Sequence, residues 1–295
     1  MTGFSASHRI VADLLRARTG QQLTESRRWR IDTALAGLFR EHGISNVDQL
    51  ACMLAEAGAE PLACDVVEAL LNNETYFFRD RPMFELLADK VLPALAERQA
   101  AARRLRIWSA GCSTGQEAYS LAMLFGQSPE RWHGWTISIL GTDISGRAVR
   151  AARRACYSQF EIQRGLSVAQ MLDWFAETPK GWVPNDALRA MVRFEQRNIL
   201  DPAFHERPFD LILCRNVLLY FDGTTRDRAF ARLDKALASD GWLMLGAGET
   251  VVGRTGAFEP VEGNQGLCRR RESPLRPGTN QHTAAGRGKV RSNLT

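Results

Sequence analysis

Residues 107–119 read Ile-Trp-Ser-Ala-Gly-Cys-Ser-Thr-Gly-Gln-Glu-Ala-Tyr, and this stretch predicts a buried strand, a sharp turn and the start of a helix. The turn contains Gly111 and Gly115, because a backbone that bends sharply and approaches a ligand closely leaves no room for a Cβ. The apolar residues among 119–124 continue the helix, which can pack back against a sheet. Such turns cradle a cofactor in some proteins and are purely structural in others, so the glycines alone leave both alternatives open.

Two more strands are predicted to bring polar side chains to the same edge of that sheet. Residues 136–140 are rich in β-branched side chains and lead into Gly-Thr-Asp, which places Asp143 at the carboxyl end of the strand. Residues 209–214 form an almost continuous apolar run, typical of a strand buried in a parallel sheet, and Arg215 and Asn216 follow it. Ligands of open α/β sheets bind at this edge, where a carboxylate can accept hydrogen bonds from both ribose hydroxyls of a nucleoside.

The chain divides into predicted parts with different patterns. Residues 1–90 carry apolar residues at helical spacing and predict a small all-α domain, followed by a linker helix that reaches about residue 98. Over residues 99–272 strand and helix patterns alternate, which indicates a mostly parallel sheet with helices on both faces. The alternation breaks at about 178–196, where a small antiparallel β insert and a loop with one ordinary strand are both compatible with the sequence. Residues 273–295 are mostly polar and predict a disordered basic tail.

Charge and composition argue against several classes of protein. The formal net charge is +5, but residues 269–295 contain seven Arg or Lys and one Glu, which leaves about −1 for the rest of the chain. A nucleic-acid interface is therefore not expected, because it requires a basic face on the folded domain. Apolar runs fall short of the roughly 20 residues that span a bilayer, and no signal-peptide pattern opens the chain, so we expect a cytoplasmic protein without membrane insertion. The six cysteines are scattered without a Cys-x-x-Cys pair and predict no metal site.

Four segments, taken together and in order, resemble a known family. They are Asn73-Glu-Thr-Tyr-Phe-Phe-Arg79, Ser109-Ala-Gly-Cys-Ser-Thr-Gly-Gln-Glu-Ala-Tyr-Ser120, Gly141-Thr-Asp-Ile144 and Phe209-Asp-Leu-Ile-Leu-Cys-Arg-Asn-Val-Leu-Leu-Tyr-Phe221. The family is that of the CheR-type chemotaxis receptor (protein-glutamate) O-methyltransferases, and the similarity extends over about residues 9–270. Near its end, Gly246-Ala-Gly-Glu-Thr250 stands where the family usually has Gly-x-Ser-Glu, which we interpret as a supporting position.

This resemblance implies a fold and a function. The fold is α/β, a Rossmann-like S-adenosylmethionine-dependent methyltransferase domain with a small all-α N-terminal domain and a small, three-stranded antiparallel β-subdomain insert. The activity is methyl transfer from S-adenosyl-L-methionine to glutamate side chains, which leaves S-adenosyl-L-homocysteine. The implied partner is the cytoplasmic domain of a chemoreceptor, a methyl-accepting chemotaxis protein, and we expect the enzyme to be a monomer.

Matching the chain to the family's motifs also implies which residues bind the cofactor. They are Asn73, Thr75, Arg79, Glu117, Asp143, Asn198, Ile199, Arg215 and Asn216. Asp143 is expected to bind the ribose, and Asn198 and Ile199 are expected to flank the adenine. The role of Glu117 stays open between the ammonium of the methionine moiety and another polar group. Taken singly, such Asp and Asn residues are equally typical of caps and turns.

Arg79 and Tyr220 are the catalytic candidates. A guanidinium matches the geometry of a carboxylate and can hold the acceptor, and Tyr220 follows the strand end at which the methyl group must move. The alternatives are a surface arginine that begins a helix and a buried aromatic side chain beside Phe221. Because glutamate is ionised at neutral pH, the reaction needs no general base. The five histidines, at positions 8, 42, 133, 205 and 282, all lie outside the motifs.

Three other functions compete with this interpretation. An NAD-dependent dehydrogenase on the same fold is disfavoured because residues 111–115 lack the Gly-x-Gly-x-x-Gly signature. A nucleic-acid methyltransferase is disfavoured because the chain has no Asn-Pro-Pro-Tyr or Asp-Pro-Pro-Tyr segment. A cofactor-binding regulator without transfer activity is disfavoured by the presence of both Arg79 and Tyr220.

Two further features concern recognition of the substrate. Arg27, Arg28 and Arg30 begin an N-terminal helix and form either a solvated face or, by the resemblance, a docking surface for acidic receptor helices. Some family members bind a short peptide at the receptor's extreme C-terminus along an edge of the β-subdomain, whose hairpin loop is then longer and glycine-rich. The corresponding stretch here, residues 175–182, is compact, and Pro179 and Pro184 lack the N–H that a paired strand uses. We therefore expect recognition that is independent of such a pentapeptide.

Removal of residues 273–295 is expected to leave the melting temperature nearly unchanged, because this segment contains few apolar residues that folding could bury. Differential scanning fluorimetry of the full chain and of a chain that ends at residue 272 measures the effect. A loss of several degrees would show that the tail packs on the folded body.

Overall fold

The computed structural model describes residues 5–25, 29–202, 204, 207–264 and 266–271. The tail predicted for residues 273–295 lies outside these ranges, and so do Arg27 and Arg28 of the predicted docking surface. Across the described ranges, every helix is too short or too polar to cross a lipid bilayer.

The N-terminal part of the chain is helical, as the sequence predicts. Its helices are α1 (Ala6–Thr19), α2 (Trp29–His42), α3 (Val47–Leu54) and α4 (Glu60–Leu70). Ile31, Leu35 and Leu38 lie at helical spacing on α2 and are buried in one core with residues of the other three helices. The helix α1 ends at Gly20, whose left-handed φ of 79° closes the last turn.

A nearly continuous helix connects this domain to the sheet. It consists of α5 (Arg81–Leu86), a π-helical turn at Leu87–Val91 and α6 (Leu92–Arg98). Pro82 lies in the first turn of α5, where its missing N–H would have no partner in any case. The buried side chains of this linker belong to the same hydrophobic core as one face of the sheet, and they include Phe84, Leu87, Val91 and Leu95.

The strands confirm the predicted Rossmann-like architecture. Within the described residues they are β1 (Arg104–Ala110), β2 (Thr136–Asp143), β3 (Phe175–Thr178), β4 (Gly181–Pro184), β5 (Val192–Gln196), β6 (Phe209–Cys214), β7 (Leu237–Leu245), β8 (Phe258–Pro260) and β9 (Leu267–Arg270). Seven of these strands form one sheet in the order β5-β2-β1-β6-β7-β9-β8. The first five are parallel, whereas β9 is antiparallel to β7 and to β8. The carboxyl ends of β1, β2 and β6 therefore lie side by side.

Helices cover both faces of this sheet. They are α7 (Gln116–Gly126), α8 (Pro129–Trp132), α9 (Gly146–Arg154), α10 (Gln159–Gln163), α11 (Val168–Trp174), α12 (Asp186–Met191) and α13 (Gly223–Ala236). Successive residues of a strand point to opposite faces, so Ile107 and Trp108 on β1 belong to two different hydrophobic cores. Burial on both faces explains why β6 is apolar almost throughout.

The antiparallel insert differs from the sequence prediction in position and size. The strands β3 and β4 form a pair within residues 175–184, extended by an isolated bridge between Tyr157 and Trp182. Residues 192–196, which fall in the range of 178–196 predicted for the insert, instead pair parallel with β2 at the edge of the main sheet. The implied three-stranded subdomain thus consists of two strands and one bridge. A period-two pattern predicts that a segment is a strand but not which strand becomes its partner.

The helical domain contacts the carboxyl edge of the sheet through the segment after α1. Gln21 forms an antiparallel bridge with Phe221, and the Gln22 N–H donates to the Tyr220 carbonyl at 2.7 Å. The side-chain amide of Asn198 donates to the Thr19 carbonyl at 3.4 Å. These contacts bring the N-terminal domain over the edge where β1, β2 and β6 end, so that a cavity forms between them.

Replacement of Gly165 by alanine is expected to destabilise the fold by about 1–3 kcal/mol. Gly165 has a φ of +103°, and an added Cβ would lie 1.8 Å from the Phe77 carbonyl oxygen, so both backbone segments would have to shift. Gly223→Ala is the control, because nothing lies within 4 Å of a Cβ at that position. Urea denaturation compares the two variants, and equal stabilities would contradict the close approach of residues 77 and 165.

Candidate active site

The ten predicted site residues line one cavity of about 930 Å³, a volume that includes the space at its open mouth. The cavity lies between the helical domain and the carboxyl edge of the sheet. Its walls come from the loop after α4, the turn after β1, the ends of β2 and β6, and the segment after β5. The predicted residues in these walls are Asn73, Thr75, Arg79, Glu117, Asp143, Asn198, Ile199, Arg215, Asn216 and Tyr220. Their proximity is a feature of the structure, whereas the role of each residue stays a prediction.

The turn between β1 and α7 has the tight geometry that requires glycine. Gly111 has a φ of +84°, and a Cβ there would lie 2.3 Å from the Val217 side chain. The N–H groups of Gly111 and Cys112 both donate to the Thr142 carbonyl, at 2.8 and 2.9 Å. The turn therefore fits between the ends of β2 and β6 only when residue 111 has no side chain.

Asp143 is buried at the end of β2 and is held by backbone donors. Its Oδ2 accepts a hydrogen bond from the Ser113 N–H at 2.8 Å, and its Oδ1 accepts one from the Ser145 N–H at 2.9 Å. Burial raises the pKa of the Asp143 carboxyl above its ordinary value, and these hydrogen bonds oppose the increase. A carboxylate has about four acceptor positions, so Asp143 retains the capacity to accept hydroxyl groups from a ligand in the cavity.

A carboxylate from the helical domain reaches the same corner. Glu68 on α4 accepts a hydrogen bond from the Ser145 hydroxyl at 2.5 Å and one from the Arg147 N–H at 3.2 Å. The Ser145 hydroxyl oxygen also accepts from the Asn73 side-chain amide at 3.3 Å. A negative charge is favourable at the first turn of α9, where N–H groups lack helical partners. Sequence analysis missed Glu68 because a glutamate inside a helix carries no local signal of this contact.

Arg215, at the end of β6, is a buried guanidinium with two carboxylate partners. Its Nη1 donates to Glu117 Oε2 at 2.9 Å, and its Nη2 donates to Asp80 Oδ2 and to the Arg79 carbonyl, both at 2.7 Å. The other carboxylate oxygen of Glu117 accepts from the Ser109 hydroxyl at 2.7 Å. The Arg215 Nε is buried and has no hydrogen-bond partner in the described part of the chain. The cavity wall thus contains a donor of the kind that a bound ligand satisfies.

Arg79 is anchored by its own loop. Its Nη1 donates to the Glu74 carbonyl at 2.7 Å, and its guanidinium lies 5.8 Å from the centre of the Tyr76 ring. Tyr76 also lines the cavity. These contacts limit the freedom of a side chain that would otherwise sample many rotamers.

Four residues without the freedom of glycine have left-handed backbone angles around this cavity. Phe78 and Asp80, on either side of Arg79, have φ values of 52° and 58°. Ser113 and Asn216, in the cavity wall, have φ values of 50° and 59°. Such angles are costly for residues with a Cβ, and they persist where surrounding contacts enforce them, often at functional sites.

Glu249 holds the turn that follows β6. Its Oε1 accepts from the N–H groups of Val217, Leu218 and Leu219, at 3.0, 2.7 and 3.3 Å. Its Oε2 accepts from the N–H groups of Asn216 and Gly246, both at 2.9 Å. One carboxylate therefore satisfies four backbone donors at the start of the short 3₁₀ turn 218–220 and a fifth, at Gly246, directly after β7. These contacts agree with the supporting role inferred for the segment Gly246-Ala-Gly-Glu-Thr250.

Tyr220 ends this turn and projects its hydroxyl into the cavity wall. Its Oη accepts a hydrogen bond from the Asn72 side-chain amide at 2.7 Å. Asn72 lines the cavity next to the predicted Asn73, but the sequence analysis did not single it out. The loop between α4 and α5, residues 71–80, is called the motif loop because it contains the motif Asn73–Arg79. Through Asn72, this loop orients the Tyr220 side chain.

A family model and several curated proteins that match this chain are named as methyltransferases. The model of the family "CheR methyltransferase, SAM binding domain" matches residues 73–267. The chain is 32% identical over 263 residues to the chemotaxis protein methyltransferase of Vibrio parahaemolyticus, which covers 88% of this chain and 94% of that protein. It is 33% identical over 254 residues to the chemotaxis protein methyltransferase Cher2 of Pseudomonas putida, with 84% and 91% covered. Among solved structures, PKMT2 from Rickettsia typhi in complex with AdoHcy is 17% identical, with a TM-score of 0.32, over 48% of this chain and 21% of that chain.

The residues of the cavity fit S-adenosylmethionine. The cavity is lined by three carboxylates, those of Glu74, Glu117 and Asp143, and by three guanidiniums, those of Arg79, Arg197 and Arg215. Partners of both signs are therefore available to a ligand that carries a sulfonium, an ammonium and a carboxylate group. Asp143 retains acceptor positions for ribose hydroxyls. A Cβ at residue 111 would clash with the Val217 side chain, so the turn after β1 keeps its shape with glycine at this position. The Arg215 Nε offers a donor that no described residue uses.

Replacement of Asp143 by asparagine is expected to weaken the binding of S-adenosylhomocysteine by about 1.5–3 kcal/mol, the range for a hydrogen bond to a charged group. An amide has one acceptor oxygen, so it cannot serve both backbone donors and the ribose hydroxyls as well. Isothermal titration calorimetry measures the affinity, and Asp173→Asn, at an exposed position outside the cavity, is the control. An unchanged affinity in a folded Asp143→Asn protein would remove Asp143 from the cofactor site.

Proposed function

The chain belongs to the CheR methyltransferase family, and from this premise we propose that it methylates glutamate side chains on the cytoplasmic helices of chemoreceptors. Its cofactor is S-adenosylmethionine, and it is a methyltransferase of chemotaxis. The proposed products are a glutamyl methyl ester and S-adenosylhomocysteine. The observation that carries the proposal is that Arg79 and Tyr220 line the same cavity as Asp143 and Arg215.

The acceptor in this reaction needs orientation rather than activation. A glutamate side chain has an ordinary pKa of about 4.3, so it is already an anion at neutral pH and no proton has to be removed. When bound, S-adenosylmethionine supplies a methyl group on a positively charged sulfur. The contribution of the chain is then to hold a carboxylate in line with that group and to keep water away from the charged pair.

Arg79 is the residue proposed to hold the acceptor. A planar guanidinium can donate to both oxygens of a carboxylate and so fixes the plane of the group. Its contacts with the Glu74 carbonyl and the Tyr76 ring restrict the side chain before the substrate arrives. Because the side chain has already lost much of its conformational freedom, less entropy is lost when the transition state forms. A cation that is positioned in advance accelerates the reaction in this way.

Tyr220 is proposed to align the acceptor with its hydroxyl group. The phenol is held by the Asn72 amide at 2.7 Å, and the turn beneath it is held by Glu249. A hydroxyl both donates and accepts, so it can receive the Asn72 N–H while its own hydrogen points to a carboxylate oxygen.

The proposal includes three further points: the protein is a monomer, it acts in the cytoplasm, and it does not depend on a C-terminal pentapeptide of the receptor. The last point is supported by the edge of β4. Trp182 both accepts from and donates to the backbone of Tyr157, at 2.9 and 2.8 Å, so this part of the edge is already paired. Pro184 in the same strand has no N–H to offer an added strand.

Transfer of labelled methyl groups to receptor cytoplasmic fragments tests the main proposal. The label should appear on the receptor and be released by mild base, because an ester hydrolyses under conditions that leave N-methyl groups intact. Label that resists base, or that appears on nucleic acid instead, would contradict glutamate as the acceptor. Cofactor binding without any transfer would favour a cofactor-binding regulator that has no transfer activity.

Pentapeptides copied from receptor C-termini test the mode of recognition. A receptor fragment that lacks its last residues should be methylated as fast as the intact fragment. Micromolar binding of a pentapeptide that is abolished by changes within residues 181–186 would contradict independence from this tether.

Tyr220→Phe is expected to lower kcat by about 10-fold or more, while the affinity for S-adenosylhomocysteine changes by less than about twofold. The substitution removes one hydroxyl and keeps the ring, so the packing of the turn is preserved. Initial rates and calorimetry on the same preparation separate the two quantities. The reverse pattern, a large loss of cofactor affinity at constant kcat, would refute the proposed catalytic role.

A further inference from the structure

The linker between α10 and α11 contacts the loop that carries Arg79, although it lies outside the cavity. Arg164 Nη2 donates to Glu74 Oε1 at 2.7 Å. In the opposite direction, Arg81 Nη2 donates to the Gly165 carbonyl at 2.8 Å. The Gly165 Cα also approaches the Phe77 carbonyl so closely that a Cβ would overlap it. The segment between α10 and α11 and the loop that carries Arg79 are thus joined through side chains and through close backbone approach.

Glu74 contacts Arg164 with its side chain and Arg79 with its backbone carbonyl. Its carboxylate pairs with the Arg164 guanidinium, and its carbonyl oxygen accepts the hydrogen bond from Arg79 Nη1 at 2.7 Å. The centre of the Tyr76 ring lies 4.3 Å from the guanidinium of Arg164 and 5.8 Å from that of Arg79. Glu74 and Tyr76, the two residues of this loop that contact the Arg79 side chain, therefore also contact Arg164.

The Arg164–Glu74 pair contributes little to the stability of the fold. The two side chains are 42% and 52% exposed, and ion pairs at such positions are weakened by solvent. The hydrogen bond from Arg164 lowers the pKa of Glu74, so the carboxylate stays ionised and paired at neutral pH. Rate is far more sensitive than stability to such a contact, because a displacement of about 1 Å in a positioning group costs about 100-fold in rate.

We propose that Arg164 is a positioning residue for catalysis, whose guanidinium sets the orientation of Arg79 through Glu74 and Tyr76. The inference rests on the role proposed above for Arg79 as the group that holds the acceptor. Arg164 itself is not among the residues that line the cavity. Its segment continues through α11 directly into β3, so one short stretch of chain connects Arg164 to the antiparallel insert.

A double-mutant cycle tests this inference. The variants are Arg164→Ala, Glu74→Gln and the double substitution, with Arg164→Lys as the conservative replacement. Arg269→Ala is the matched control, because it removes one partner of another exposed ion pair, 2.8 Å from Glu259 and outside the cavity. For each variant, kcat and KM are measured with a receptor fragment that the unmodified protein methylates. The affinity for S-adenosylhomocysteine and the melting temperature are measured in parallel.

The expected result is a loss of kcat without a loss of folding. Arg164→Ala should lower kcat about 10-fold, and Glu74→Gln should lower it by less, since the contact between Arg164 and Tyr76 remains. The double variant should lose no more than Arg164→Ala, because the Glu74 contact is already broken in that variant. Arg164→Lys should recover part of the rate, because an ammonium still pairs with Glu74. The melting temperature should stay unchanged in all of these variants, and the affinity for S-adenosylhomocysteine should change much less than kcat. Arg269→Ala should behave as the unmodified protein.

Several outcomes would overturn the inference. An unchanged kcat in Arg164→Ala does so directly, and so do multiplicative losses in the double variant, which would indicate two independent effects. A fall in melting temperature or cofactor affinity that parallels kcat would indicate a structural role only. Arg79→Ala separates the proposed role of Arg79 from that of Arg164. If Arg79→Ala is inactive while Arg164→Ala is fully active, the inference about Arg164 alone fails. If Arg79→Ala retains full kcat, the proposed role of Arg79 fails and the inference fails with it.

Discussion

The geometry of the candidate active site depends on one buried guanidinium, that of Arg215. Its side chain is 2% exposed, and a charge removed from water is tolerated only when opposite charges and acceptors surround it. Glu117 on α7, Asp80 and the Arg79 carbonyl provide that environment. Because these partners belong to different segments, satisfying one cation sets the distances between β6, α7 and the motif loop. The loss of either carboxylate would leave a buried charge short of a partner, which costs more than the deletion of an ordinary contact.

Other carboxylates near the cavity bind backbone N–H groups. Glu249 satisfies five donors in the turns beside β6 and β7, and Glu68 binds the first turn of α9 from the helical domain. Asp143 binds one donor on each oxygen. Donors at turns and helix ends have no partner in regular secondary structure, so side-chain carboxyl groups that accept from them make the loops rigid. A reaction that depends on orientation requires loops of this kind, because each residual motion of the acceptor lowers the rate.

The proposed chemistry and the structure of the motif loop support each other. A carboxylate acceptor is already a nucleophile, so the useful side chains are donors that orient it, and Arg79 and Tyr220 are donors. Both are held by residues of the loop after α4, Arg79 by the Glu74 carbonyl and Tyr220 by the Asn72 amide. The same loop has strained angles at Phe78 and Asp80. These angles are held by contacts with other segments, among them the hydrogen bonds of Arg215 with Asp80 and of Arg164 with Glu74.

The sequence by itself determined the fold class, the position of the binding edge and the ten residues around the cavity. For Asp143, Arg215 and Asn216 it could do so because the carboxyl ends of parallel strands meet at one edge, so that residues following β2 and β6 must be neighbours. Others, such as Asn73, Thr75, Asn198 and Ile199, are implied only by the resemblance of the motifs to those of the family. The tertiary structure alone decided the partner of Val192–Gln196, whose alternating pattern fits the insert and the main sheet equally well. It also decided the contacts of Glu68, Asn72, Asp80 and Arg164, which join segments far apart along the chain. Local patterns record how each segment folds and which face it buries, but the register and pairing of distant segments depend on the packing of the whole molecule.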